Sequence, residues 1–281
     1  MEKEKWDVDI KPSTGLLDIK LKEIWSYRDL LLLLVRRDFV SVYKQTILGP
    51  IWFFIQPLLT TIIFTVVFGK IAKIPTDGVP PMLFYLTGIT LWNYFADCVN
   101  ATSDTFTKNA SIFGKVYFPR IIVPVSVVCS NLIKFGIQFI LLVGFWTYFF
   151  VQGGNFQLNI NLLLLPYLIL VMAGLGLGIG MIISSLTTKY RDLTFLISFG
   201  VQLLMYASPV IYPISSLPEK YKIFILANPM SSIIETFRYA ALGTGSFNLL
   251  HLAYSSGVAI FVLFVGNIIF NQVEKSFMDT V

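Results

Sequence analysis

Six long blocks of apolar residues, separated by short polar stretches, constrain this chain more than any other feature of it. A helix rises 1.5 Å per residue, so about 20 apolar residues are needed to cross about 30 Å of hydrocarbon. Residues 51–69, 82–106, 121–151, 162–186, 193–211 and 249–271 come close to that length. The pattern therefore predicts an all-α polytopic membrane protein with six transmembrane helices. The third block is long enough to tilt or to project from the bilayer. The fifth is the least apolar, holding Gln202 and ending in the proline-rich run Ser208-Pro209-Val210-Ile211-Tyr212-Pro213. Composition agrees, because 56% of the 281 residues are hydrophobic and only 13% charged, whereas a soluble domain carries about a quarter charged residues.

Six crossings put both termini on one side, and the distribution of Lys and Arg says which. Fifteen of the 21 basic residues fall on the terminal side: nine before residue 51, then Lys108, Lys115, Arg120, Lys189, Arg191 and Lys275. Five fall opposite (Lys70, Lys73, Lys220, Lys222, Arg238), and Lys134 lies inside a block. Both termini are expected in the cytoplasm, and no apolar h-region precedes Leu30 to suggest a signal peptide. Residues 1–21 read as a cytoplasmic tail and 47–281 as the transmembrane domain. Residues 22–46 are apolar on one side (Ile24, Trp25, Leu31, Leu34, Val35) and charged elsewhere (Arg28, Asp29, Arg36, Arg37, Asp38, Lys44), which suits an amphipathic helix in the membrane interface or against a partner protein. Between the last two blocks, residues 215–245 hold apolar runs too short to cross. They are expected to form re-entrant or surface-lying half-helices on the outer side.

The net charge of +5 does not indicate nucleic acid, because the basic residues sit at block ends rather than on a polar module with interleaved aromatics. Anionic lipid headgroups are the better counter-charge. No phosphate-binding loop of the G-x-x-x-x-G-K-[ST] type occurs: Gly69-Lys70 and Gly114-Lys115 lack both the upstream glycine and the following Ser or Thr. Gly174, Gly176, Gly178 and Gly180 lie inside the fourth block, where small residues at four-residue spacing favour close helix packing. One histidine, His251, leaves little from which to build a catalytic triad or a metal site. Cys98 and Cys129 read as small core residues.

A polar stripe remains. Asn93, Asp97, Asn100 and Asp104 share one face of the second block, and Asn131, Lys134 and Gln138 repeat the arrangement on the third. Ionisable groups in a bilayer are expensive and usually face the bundle interior or an aqueous path. An Asp97–Lys134 ion pair serves equally as a clamp between helices or as a lining of the path. Trp92, Tyr94, Trp146, Tyr148, Tyr206 and Tyr212 lie toward block ends, where interfacial belts account for them, although aromatic faces also stack on sugar rings.

Six short runs, in order, resemble the ABC-transporter permeases that export bacterial polysaccharides such as O-antigen, capsule and teichoic acid. They are Leu48-Gly49-Pro50-Ile51-Trp52 with Gln56-Pro57-Leu58-Leu59; Leu86-Thr87-Gly88 with Leu91-Trp92; Lys115-Val116-Tyr117-Phe118-Pro119-Arg120; Ser208 to Pro213; Asn228-Pro229-Met230; and Phe237-Arg238. The resemblance implies a homodimer in the bacterial inner membrane, joined by two copies of a separate ATPase that binds the ATP and Mg, with a channel between protomers for a lipid-linked glycan. No cofactor, metal or catalytic residue is then expected on this chain. The resemblance assigns the ATPase contact to Arg36 and Arg37 and to a coupling helix matching residues 108–117, comprising Lys108, Asn109, Ser111, Ile112, Phe113, Lys115 and Tyr117. If the polar stripe lines such a channel, its candidate lining is Trp92, Asn93, Asp97, Asn100, Asn131, Lys134, Gln138 and Tyr206. The outer gate would include Tyr212, Pro213, Asn228, Pro229, Glu235 and Arg238. The competing readings are a small-molecule exporter of the same kind, an intramembrane enzyme using Asp97 or Asp104 on lipid-linked sugars, and a passive channel.

Overall fold

The computed structural model describes residues 25–44, 46–116, 118–154, 156, 159–190 and 192–277. Among them the chain is helical, with no strand. Helix α1 spans Arg28–Tyr43. A 3-10 turn, Gly49–Ile51, opens α2, Trp52–Phe64, which continues as the π-helix Thr65–Ile71. Then come α3 (Pro81–Ser103), α4 (Thr105–Phe113) and α5 (Ile122–Val151). A second 3-10 turn, Ile160–Leu164, leads into α6 (Leu165–Thr187), followed by α7 (Leu193–Tyr206). Two short helices, α8 (Glu219–Ala227) and α9 (Pro229–Leu242), precede α10 (Leu249–Phe277).

Four stretches are long and apolar enough to cross a membrane: Gly49–Ile71, Ile122–Val151, Ile160–Thr187 and Leu249–Glu274. The two other blocks differ for identifiable reasons. Helix α3 has spanning length but carries Thr87, Thr90, Asn93, Asp97, Asn100 and Thr102. It can be polar because 16 of its 23 residues are buried by protein, α2, α5, α6, α7 and α9 all packing on it. It stops at Ser103, short of residue 106, and α4 starts afresh after Asp104. Helix α7 has only 14 residues and ends at Tyr206 rather than at 211. Pro209 lacks an amide hydrogen and its ring clashes with the preceding turn, so the apolar run beyond it is a turn.

Small residues set the tightest packing. A Cβ on Gly178 of α6 would lie 2.7 Å from the Leu263 backbone nitrogen of α10, and one on Gly266 would lie 2.5 Å from the Gly178 carbonyl oxygen. On the other side of α6, Gly176 and Gly180 lie against Cys98 and Thr102 of α3. The glycine run thus seats α6 between α3 and α10, as close small-residue packing requires. Hydroxyls inside α2 and its π-helical continuation are satisfied locally. Thr60, Thr61 and Thr65 each donate to the carbonyl four residues earlier, at 3.0, 2.7 and 2.8 Å.

Candidate functional site

At one end of the bundle, α1, α4, the start of α5 and the end of α10 meet in a buried apolar cluster of Leu34, Phe106, Phe113, Phe118, Ile122, Val123, Met181 and Phe270. Phe106 stacks on Phe270 with ring centroids 4.6 Å apart. Arg120, buried in the turn before α5, donates to the Glu274 carbonyl at 2.9 Å and lies 3.9 Å from its carboxylate. Its guanidinium also faces the Phe113 ring at 5.3 Å. Burial pulls the Arg120 pKa down from its ordinary value, and Glu274 pulls it back up. Arg37 of α1 reaches across to α4, donating to the Asn109 side-chain oxygen at 3.3 Å. Asn109 in turn donates to the Thr105 carbonyl at 3.0 Å. Of the residues expected to contact an ATPase, this junction buries Asn109 and Phe113 and leaves Arg37 half-buried at its edge. Arg36, Lys108, Ser111 and Lys115 are left exposed and Ile112 half-buried, while Tyr117 lies outside the described residues. Sequence reasoning missed Arg120 and Glu274 as a tie. Arg120 closes the Lys115-to-Arg120 motif, but nothing local points to a partner 154 residues away.

Between α3 and α5 the polar stripe forms a seam of antiparallel rungs. Asn93 donates to Gln138 at 3.4 Å, Asp97 pairs with Lys134 at 4.0 Å, and Asn131 reaches the Cys98 sulfur at 3.9 Å. The four-residue spacing on each helix makes this register possible. Trp92, Asn131 and Gln138 are buried. The Asp97 side chain keeps 45% exposure and Lys134 21%, so one flank of the seam is open. Asn93 and Asn100 are half-buried, and the Asn100 side-chain oxygen is buried without a hydrogen bond. Tyr206 is exposed at the end of α7, apart from the seam. Ser130, one turn from Lys134 on α5, donates to the Val35 carbonyl of α1 at 3.3 Å. The ion pair therefore lies close to the α1 end of the bundle rather than at its middle.

At the opposite end, Arg238 of α9 has no exposed surface. It donates to the Pro209 carbonyl, to the Val210 carbonyl at 2.9 Å and to the Phe84 carbonyl at 3.4 Å. The guanidinium carbon lies 3.6 Å from the Phe84 ring centroid, a cation–π contact, and Glu235 stands one turn away at 3.7 Å. Space beside it is tight: a Cβ on Gly88 would lie 2.9 Å from the Arg238 guanidinium and 3.1 Å from the Val210 Cα. Asn228 caps α9 by accepting from the Met230 amide at 3.0 Å, and donates to the Ser208 hydroxyl at 2.7 Å. Pro229 opens the helix, and its carbonyl accepts from Ser255 of α10 at 2.8 Å. Pro213 is buried and Tyr212 half-buried, its hydroxyl donating to the Tyr206 carbonyl at 3.3 Å. Three runs far apart in sequence, Leu86-Thr87-Gly88, Ser208-to-Pro213 and Phe237-Arg238, thus converge on one clamp.

Among the described residues no three His, Cys, Asp or Glu side chains gather as a metal site. The arrangement joins helices at both ends of a bundle and lines its α3–α5 seam with polar groups. Comparison with known proteins accords with that design. The chain is 29% identical over 266 residues to an O-antigen export system permease protein, RfbA, of Klebsiella pneumoniae, covering 94% of this chain and 99% of that one. It is 23% identical over 266 residues to the RfbA of Myxococcus xanthus, covering 93% and 98%. To the polysialic acid transport protein KpsM of Escherichia coli it is 22% identical over 249 residues, covering 87% and 93%. The model of the ABC-2 type transporter family matches residues 29–242, and the chain belongs to that family.

Proposed function

We propose that the chain is the permease subunit of an ATP-driven exporter that carries a lipid-linked bacterial polysaccharide, such as O-antigen, capsule or teichoic acid, out of the cytoplasm. The observation that carries this reading is similarity over nearly the whole chain to permeases named for O-antigen export and polysialic acid transport. The chain supplies no phosphate-binding loop, so ATP and Mg act in a separate ATPase, two copies of which join two copies of this chain. Six crossings are formed by Gly49–Ile71, α3, α5, α6, α7 and α10, with both termini on the cytoplasmic side of the inner membrane. Helix α1 lies in the inner interface. The exposed Arg36, Lys108, Ser111 and Lys115, borne on the α1–α4 junction, face the ATPase. The open flank of the Asp97–Lys134 seam borders the path between protomers, and α8, α9 and the 208–213 turn close its outer end. Pushing on α4 is then passed through Phe106–Phe270 into α10, which touches α9 at Ser255.

The test is co-purification and turnover. Expressed with a cognate ABC ATPase subunit, the chain should form a stable complex whose ATP hydrolysis in proteoliposomes depends on it, and cells lacking it should retain the lipid-linked glycan inside. Hydrolysis indifferent to this chain, or normal surface glycan in its absence, would refute the reading.

A further inference from the structure

The outer clamp has two properties that a static brace does not need. First, it holds a segment that is far more deeply buried than the helix leading into it. Helix α7 contributes no buried residue, while Ser208, Pro209, Val210, Ile211, Pro213 and Ile214 immediately after it are all buried. The outer end of α7 rests on the core through Val201 and Met205 and is followed at once by this buried turn, which Arg238 and Asn228 hold. Second, the clamp is incompletely satisfied. Arg238 Nε and Glu235 Oε1 are buried without a hydrogen bond, and the two side chains approach to 3.7 Å, beyond hydrogen-bond distance. A buried ionic group short of partners is costly, and water reaching it recovers that cost. Separation of the turn from α3 would hydrate both charges.

We propose that Arg238 is a releasable latch: it positions the 208–213 turn against Phe84 and Gly88 of α3, closing the outer end of the path, and lets that turn and α7 swing away when the path opens. This inference rests on the transport reading above. Three hydrogen bonds would break together, those from Arg238 to the Pro209 and Val210 carbonyls and that from Asn228 to Ser208, and the Glu235 carboxylate would stay beside Arg238 on α9 to balance its charge. Just beyond the turn, Ser215 donates to both oxygens of Asp77, at 2.8 and 3.0 Å, in the exposed loop that leads into α3. That contact crosses the same opening without being part of the buried clamp.

A staple at this point tests the latch with the clamp intact. In the full chain with its ATPase, Asp77→Cys and Ser215→Cys are combined and joined by a short bifunctional methanethiosulfonate applied to intact cells. Glycan on the cell surface is then measured before cross-linking, after it, and after cleavage with reductant. The latch predicts surface glycan in the untreated variant, loss on cross-linking, return on reduction, and no effect of reagent on either single-cysteine chain. Continued export by the cross-linked protein would mean that the turn never leaves α3, and would overturn the latch while leaving the transport reading in place. Failure of the wild-type chain to support surface glycan would overturn both.

Discussion

Gly178 and Gly144 lie in the middle of apolar helices, yet the surroundings give them opposite meanings. Gly178 is pinned by backbone: an added methyl would meet Leu263 nitrogen and Cα at 2.7 and 2.8 Å, and backbone cannot rotate away as a side chain can. Gly144 has nothing within 4 Å and borders an apolar cavity of about 480 Å³ lined by Phe54, Ile140, Leu141, Phe145 and Tyr148. Gly178→Ala should therefore lower stability by about 1–3 kcal/mol, the usual cost of overpacking. Gly144→Ala should be neutral or stabilising by up to about 1 kcal/mol through helix propensity. Thermal midpoints of the detergent-purified protein, measured side by side, check the pair. Equal midpoints for the two variants would mean that α6 and α10 do not approach as closely as the structure shows. The glycine run itself was legible in the sequence as a packing feature. Which helix it packs against was not, because small residues advertise a close approach and say nothing of the partner.

Elements with a strong internal signal were easiest to read. Helix α5 runs Ile122–Val151 where the apolar block suggested 121–151, since a long apolar block broken only by scattered polar residues leaves little latitude. The end of α7 and the break at Asp104 were harder. Apolar character continues past the end of α7, so backbone chemistry rather than hydropathy ends that helix, whereas the run Thr102-Ser103-Asp104-Thr105 is polar on both sides of the break and marks no single boundary. The α3–α5 seam lies between these extremes: the stripes were visible on each helix, but a rung needs the relative depth of two helices, which periodicity does not carry. With that depth known, the seam becomes testable. Asp97→Asn and Lys134→Met should each lower the thermal midpoint, because either leaves the other charge without its partner. The double variant should lose less than the sum. Groups in direct contact couple by about 0.5–3 kcal/mol in such cycles, whereas strict additivity would place the two charges in separate environments.

Helix α5 contains 30 residues and α10 contains 29, so each is about 45 Å long, against about 30 Å of hydrocarbon. Both meet α4 at the same end, through Phe118, Ile122 and Phe270. Helix α1 crosses α5 at Ser130, so if α1 marks the inner interface, the eight residues from Ile122 to that crossing, about 12 Å of helix, stand beyond the bilayer together with α4. The surplus length is thus placed where a partner protein can reach it. It also moves Asp97 and Lys134 toward headgroup depth, which eases the expense of two charges in a span. Engineered single cysteines read this arrangement directly. Cysteine at Lys108 or Lys115 should react with a membrane-impermeant maleimide only after the inner membrane is opened, and cysteine at Ser215 or Lys220 should react in intact cells. Lys108 labelled from outside would invert the molecule, put the α1–α4 junction out of reach of any cytoplasmic ATPase, and remove the physical basis for coupling hydrolysis to the outer clamp.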